Sequence, residues 1–209
     1  MDKTIDSIFK QYSTASMFEL LHKKINEIIT LTDEEFNYCR TAFTPRKLRK
    51  RQYLLQEGDV GKYQAFVEKG LLRSYKIDDK GVEHILQFAP EGWWVADLYS
   101  FFTDEPSSFN IEALEDSEVL LINKSSWDML LQNVPKFERY FRVLLQNNLV
   151  ATQRRLMGSL SETAEEKYLK YTQTYPDCME RVPQHMIASY LGITRETLSR
   201  IRKQLSEKK

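Results

Sequence analysis

The stretch 183–205, PQHMIASYLGITRETLSRIRKQL, leaves the chain few conformational choices. Pro183 suits a helix start, and Ile187, Ala188 and Leu191 fall on one side of the helix that follows. Gly192 then stands where a left-handed residue ends a helix. Thr194 is a good N-cap for a second helix, whose apolar stripe is Leu198, Ile201 and Leu205. Two short helices joined by a glycine-containing turn make a helix-turn-helix. Ala188 is small enough to let them cross closely, with Ile187, Leu191, Ile193, Leu198 and Ile201 filling the angle between them.

The opposite face of the second helix carries Arg195, Glu196, Ser199, Arg200 and Lys203. Arginine can bond guanine through two donors, and a glutamate can accept from the amino group of cytosine. Arg195, Glu196 and Arg200 therefore have the chemistry of major-groove readers, whereas Arg202 and Lys203 suit phosphates, which position without specifying sequence. The plainer reading is a two-helix corner with a solvated charged face. Caps, glycine, small residue and apolar positions all agree with one geometry, which favours DNA binding. One such unit covers one half-site, so a two-fold dimer is expected.

Charge is distributed to match. The 209 residues carry 30 basic and 30 acidic side chains, yet no Lys or Arg occurs from Gly81 to Asn123, where nine acidic residues do. From Thr194 to Lys209 there are six basic residues against two acidic ones. The acidic middle should avoid polyanions and the basic end should seek them. The N-terminus lacks the apolar core of a signal peptide, and no run approaches the ~18 apolar residues of a membrane span. Cys39 and Cys178 are too few and too far apart for a disulfide framework or a metal cluster. These features imply a cytoplasmic chain with no metal and no cofactor.

Upstream, residues 14–30 space Met17, Leu20, Leu21, Ile25, Ile28 and Ile29 in a helical rhythm. Thr32 with Glu35 predicts a capping box opening a helix to about Phe43. Between Leu48 and Asn123 the pattern changes to short β-type runs (AFVE, LLRSYKI, VEHILQFA, FNIEAL, EVLLIN), and five of the seven glycines fall there. This region predicts a barrel or jelly roll. Helical spacing returns after Pro135, through Phe137, Phe141, Leu144, Leu145, Leu149 and Leu156 to about Gly158, a helix of roughly 35 Å. Such a helix is either buried in a core or forms a dimer seam. Asn148 and Ala151 on the same stripe favour the seam, where a polar residue can set register. A further helix is expected from Thr163 to about Thr174. The fold class is thus α+β, divided into a β-barrel sensor domain with N-terminal helices (1–124), a linking and dimerisation helix (125–160) and a helix-turn-helix domain (161–209).

A β-barrel, a long helix and a C-terminal unit containing Gly192-Ile193-Thr194-Arg195-Glu196-Thr197-Leu198-Ser199-Arg200 together resemble the Crp–Fnr family of bacterial transcription regulators. The resemblance covers nearly the whole chain. It implies a jelly-roll, cyclic-nucleotide-binding-like barrel that senses an effector. It also implies a homodimer joined along the long helix, binding double-stranded DNA at a palindromic promoter site and contacting RNA polymerase. By the family pattern Arg195, Glu196 and Arg200 read bases, and Thr194, Ser199, Lys203 and Gln184 make auxiliary or backbone contacts.

Two departures from the family shape expectation. Members that bind cyclic AMP carry Gly-Glu, a spacer and Arg-Ser/Thr-Ala; the matching stretch lies within EGWWVADLYSFFTDEPSSF, residues 91–109. Asp97 stands for the glutamate that holds a ribose hydroxyl, but Ser107 or Ser108 occupies the arginine position. A buried phosphate needs a compensating cation, and the nearest candidate, Arg73, is on another strand. Cyclic AMP is therefore not the expected effector. A neutral or apolar effector, or none, fits the residues, and Trp93, Trp94, Phe101 and Phe102 read as packing rather than a ligand cage. The second departure is that only four residues follow Leu205, so a DNA-contacting wing is expected to be short or absent. His84, the one barrel histidine, reads as structural. A cupin-like oxygenase would need two histidines and a carboxylate, and a barrel regulating a protein partner without DNA is the other alternative.

Overall fold

The computed structural model describes residues 16–207. Residues 14 and 15 of the first expected helix, and Lys208 and Lys209, lie outside them. After a single 3-10 turn (Ser16–Phe18) the chain forms α1 (Glu19–Asn26) and α2 (Asp33–Thr41). The expected capping box is present: Thr32 Oγ1 accepts the Glu35 amide at 3.2 Å, and Glu35 Oε2 accepts the Thr32 amide at 2.8 Å. Helix α1 stops at Asn26, earlier than the apolar spacing through Ile29 predicts, and Ile29 is nevertheless buried. The periodicity reported which residues go inside; it did not report that the chain had left the helix to put them there.

Eight strands follow: β1 (Thr44–Leu48), β2 (Tyr53–Leu55), β3 (Tyr63–Lys69), β4 (Leu72–Ile77), β5 (Glu83–Ala89), β6 (Trp94–Val95), β7 (Asn110–Ala113) and β8 (Ser117–Asn123), with the short helix α3 (Leu98–Thr103) between β6 and β7. They form two four-stranded sheets, ordered β1-β8-β3-β6 and β2-β7-β4-β5, rather than a closed barrel. Pairing of β8 with β1 and β3 is antiparallel, with Val119 opposite Arg46 and Val67. The interior holds Leu48, Ala65, Val67, Leu72, Ala89, Val95, Ile111, Ala113, Val119 and Leu121. On β3 and β8 these alternate with Phe66, Leu120 and Ile122, which are buried on the other face. A strand covered on both faces loses the polar alternation that marks a half-exposed one, so AFVE and EVLLIN read as continuous apolar runs.

Gly70, at φ 96°, makes the β3–β4 turn possible: a side chain there would place its Cβ 2.8 Å from the Cα of Ser117. The remaining helices are α4 (Lys124–Asn133), α5 (Lys136–Ser161), α6 (Ala164–Thr174), α7 (Gln184–Leu191) and α8 (Arg195–Glu207), with a 3-10 turn at Pro176–Cys178 before α7. The chain divides into two compact units, Met1–Leu72 with Ala89–Val143, and Arg73–Phe88 with Leu144–Lys209. In the first, Trp127 lies 3.7 Å from Phe141 between ring centroids, and Trp94 Nε1 donates to the Tyr140 hydroxyl at 3.2 Å. Trp94 and Phe101 thus pack as expected, Trp93 is half-buried, and Phe102 is 47% exposed while still meeting Trp127 edge-on. His84 is also on the surface, held by Asp78 Oδ2 at 2.9 Å. Cys39 is buried, and burial pushes its thiol up to about 12, which leaves it protonated and inert at neutral pH. Among the described residues no helix is long and apolar enough to cross a membrane.

Candidate nucleic-acid interface

The second unit contains the helix-turn-helix, and its local geometry follows from the sequence almost step by step. Gly192 sits at φ 66°, ψ 35°, and the turn closes with Gly192 N–H on Ser189 O at 3.1 Å and Ile193 N–H on Ala188 O at 3.0 Å. This is the Schellman arrangement, which satisfies the carbonyls a helix end would otherwise leave open. Two residues on, Thr194 Oγ1 accepts the Thr197 amide at 3.2 Å and starts α8. Ile187, Ala188, Leu191, Leu198 and Ile201 are buried, as their spacing predicts, and Leu205 is half-buried. Helix α6 supplies the third wall with Tyr168 and Tyr171, and opens on a second capping box in which Thr163 and Glu166 bond reciprocally.

All seven residues expected to meet DNA are exposed: Gln184 at the start of α7, Thr194 at the turn, and Arg195, Glu196, Ser199, Arg200 and Lys203 along α8. Lys203 lies 4.0 Å from Glu207, an exposed contact worth little. Among the described residues Arg195, Glu196 and Arg200 make no ion pair. A row of exposed charges without intramolecular partners can take up ligand groups without first breaking a bond.

Sequence reasoning missed two residues of this unit. Ser189 Oγ donates to Glu83 O at 2.6 Å and accepts from the Ile85 amide at 3.1 Å, so the hydroxyl is inserted into the backbone of β5. Arg155 donates to the carbonyls of Ile85 and Leu86, and its guanidinium lies 4.4 Å over the Tyr190 ring. Phe88, Tyr171, Tyr175 and Tyr190 form an aromatic cluster beside them, where burial pushes the Tyr171 and Tyr175 hydroxyls up. The bonds of Ser189 and Arg155 to the β5 backbone join residues about 70 to 105 positions apart, for which no local sequence signal exists.

The cassette residues lie in the first unit. Asp97 is 5% exposed and caps α3, with its Oδ1 accepting the Ser100 amide at 3.1 Å. Ser107, 3% exposed, donates its hydroxyl to Asp97 Oδ2 at 2.7 Å. Ser100 Oγ donates to Glu105 O and accepts the Gly61 amide at 2.7 Å. The structure thus brings Asp97 and Ser107 together, while Ser108 is exposed. Both carboxylate oxygens of Asp97 are committed to the segment itself. Arg73 belongs to the second unit; it is buried, ion-paired with Glu83 and stacked 3.8 Å over the Tyr75 ring. Elsewhere in the first unit a half-open cleft of about 200 Å³ is lined by Arg46, Tyr53, Leu55, Lys62, Tyr63 and Ile111, but not by Asp97 or Ser107.

Residues 45–134 match the cyclic nucleotide-binding domain family. Over 187 residues the chain is 27% identical to the fumarate and nitrate reduction regulatory protein of Vibrio cholerae, covering 82% of this chain and 73% of that one. The structure of FixK2 from Bradyrhizobium japonicum superposes with a TM-score of 0.68 at 23% identity, over 79% of this chain and 85% of FixK2. A c-di-GMP responsive global regulator, CLP of Xanthomonas campestris, gives the same TM-score of 0.68 at 17% identity, over 85% of this chain and 93% of that one.

Proposed function

We propose that this protein is a transcription regulator of the Crp–Fnr type, working as a cytoplasmic homodimer that reads a palindromic promoter site and contacts RNA polymerase. The family consists of regulators rather than enzymes, which sets aside the oxygenase alternative. The single observation that carries the reading is α8. A helix seated by a left-handed glycine and a threonine cap presents Arg195, Glu196 and Arg200 unpaired to solvent. Those three read bases, and Gln184, Thr194, Ser199 and Lys203 contact backbone or support the readers.

The dimer reading rests on α5. Leu145, Leu149 and Leu156 are 46%, 59% and 61% exposed, and with Thr152 they follow the 4-3-4 spacing of a coiled-coil seam. Asn148 and Ala151 are exposed beside them. Exposed leucines in that register are costly for a monomer and satisfied by a second copy of the same helix. The same division of labour assigns 1–124 to sensing, 125–160 to dimerisation and 161–209 to DNA binding.

We infer that cyclic AMP is not the effector: the two Asp97 oxygens accept from the Ser100 amide and the Ser107 hydroxyl, and among the described residues no cation pairs with Asp97. The regulator responds to another ligand or works without one. Light scattering should give twice the chain mass. Selection from a random duplex pool should yield a two-fold symmetric site whose affinity falls steeply with salt. A strictly monomeric protein that retains no duplex at low salt would overturn the proposal.

A further inference from the structure

One charged side chain of the first unit is turned inward. Arg46 on β1 stands opposite Val119 and two residues before Leu48, both of which belong to the interior. Residues so placed share a face of the sheet, so the half-buried Arg46 faces the space between the two sheets. It opens on the half-open cleft of about 200 Å³, whose apolar lining includes Leu55 and the buried Ile111. Asp59 and Lys62, both exposed, line the same cleft. None of Arg46, Asp59 and Lys62 forms an ion pair among the described residues.

The loop that carries Asp59 is already fixed. Gly58 N–H donates to Ser107 O at 2.8 Å, Ser107 N–H to Asp59 O at 2.8 Å, and Glu57 N–H to Asn110 Oδ1 at 3.0 Å. Gly61 N–H donates to Ser100 Oγ at 2.7 Å, and Val60 bridges to Pro106. Residues 100–110, most of them from the cassette segment, therefore brace residues 57–61. A wall ordered in advance spares a ligand the cost of ordering it.

Charges of both signs, an apolar floor and a small volume restrict what fits. Sites for drug-sized ligands run to about 300–1,000 Å³, so this cleft suits a metabolite smaller than a nucleotide. A plain carboxylate would satisfy Arg46 but bring a second negative charge to Asp59, and a plain amine would do the reverse. A zwitterion satisfies both. An inward charge on an edge strand can also discourage edge pairing, and β1 is an edge strand. That role accounts for Arg46 alone, since it needs neither an acidic group nor an apolar floor beside it.

We propose that this cleft binds a free α-amino acid with an apolar side chain, its carboxylate on Arg46, its ammonium on Asp59 and its side chain over Leu55 and Ile111. Lys62 adds attraction for the carboxylate from the exposed edge. The site gives the unidentified effector a chemical class, and it stands whether or not α8 reads DNA.

The test is calorimetric titration of the full-length protein with leucine, methionine and phenylalanine, each compared with its own analogues lacking the ammonium or the carboxylate. At least one of the three should bind with a dissociation constant below about 1 mM. Either analogue of that amino acid should bind about tenfold or more weakly, because a charged group of the site is left unpaired. Arg46→Gln should weaken binding by about tenfold or more, and Arg46→Lys should recover part of it. Asp59→Asn should erase the preference for the amino acid over its analogue lacking the ammonium. Asp59 lies on an exposed loop, so this variant keeps the test open should Arg46→Gln fold poorly. No binding of any of the three up to about 10 mM, an analogue lacking the ammonium that binds as tightly, or full affinity in a folded Arg46→Gln overturns the inference. None of these outcomes bears on α8, whose failure would show instead in the duplex pool.

Discussion

The helix-turn-helix and the cassette at 91–109 were both visible in the sequence, but different parts of each were visible. In the helix-turn-helix the determinants lie within a few residues of what they determine. Gly192 closes its own helix, Thr194 opens the next, and Leu198 and Ile201 are placed by helical period. In the cassette the residue types are legible and their partners are not. Asp97 and Ser107 lie ten residues apart, and only folding shows that they bond each other at 2.7 Å. Local rules fix local geometry, whereas the chemistry of a folded-over segment depends on which groups neutralise which.

The contrast breaks most sharply at Leu198. It is wholly buried where α7 and α8 cross, so Leu198→Ala should cost about 2–5 kcal/mol of stability. Chemical denaturation should show the loss, and duplex binding should go with it. A variant of normal stability would mean that the helix-turn-helix is held by something other than its own stripe.

At the cassette the corresponding change is Ser107→Ala. It leaves one oxygen of a buried carboxylate without its hydroxyl partner, at a cost of about 1–3 kcal/mol. Asp97→Asn in the same background should recover part of the loss, since the amide removes the unpaired charge. Additive effects of the two substitutions would show that they do not act as a pair.

Arg200→Ala tests readout rather than folding. Binding to the selected site should weaken by about 1–3 kcal/mol and lose preference at one base pair, while Lys203→Ala weakens all sequences alike. Unchanged site preference after Arg200→Ala would remove it from the base-reading set. Thr194→Ala deletes a cap whose hydroxyl accepts one amide, and should cost about 1 kcal/mol.

Particular residues mark where sequence reading stopped. The five β-type runs fall on β3, β4, β5, β7 and β8, but they left barrel and jelly roll open, and two four-stranded sheets form. Closure depends on which edges pair, and residue alternation is the same in a sandwich and a barrel. Ser189 and Arg155 were unremarkable in sequence because a serine in a helix and an arginine on a leucine-rich one have many uses. Their roles appear only when β5, about 70 to 105 residues earlier, presents its backbone to them. Helix caps are contracts between neighbours, but edge pairing and buried polar partners are settled across the whole chain.

The smallest expected effect is the most discriminating for the cassette. A ligand that binds only the folded state stabilises it by RT ln(1 + [L]/Kd), about 2.7 kcal/mol at a hundredfold excess over Kd. For a chain of this size that would raise the melting temperature by roughly 5–11 °C. Cyclic AMP should give no such shift, because its phosphate would have to displace the Ser107–Asp97 bond and bury its charge beside a carboxylate that no cation pairs with among the described residues. Ionic strength held constant separates this from general screening. A rise of several degrees at millimolar nucleotide would show that the segment opens on binding and that a cation from another strand supplies what Ser107 lacks. The cassette would then have to be read as the helix-turn-helix was, from its residue pattern rather than from the bonds it makes when empty.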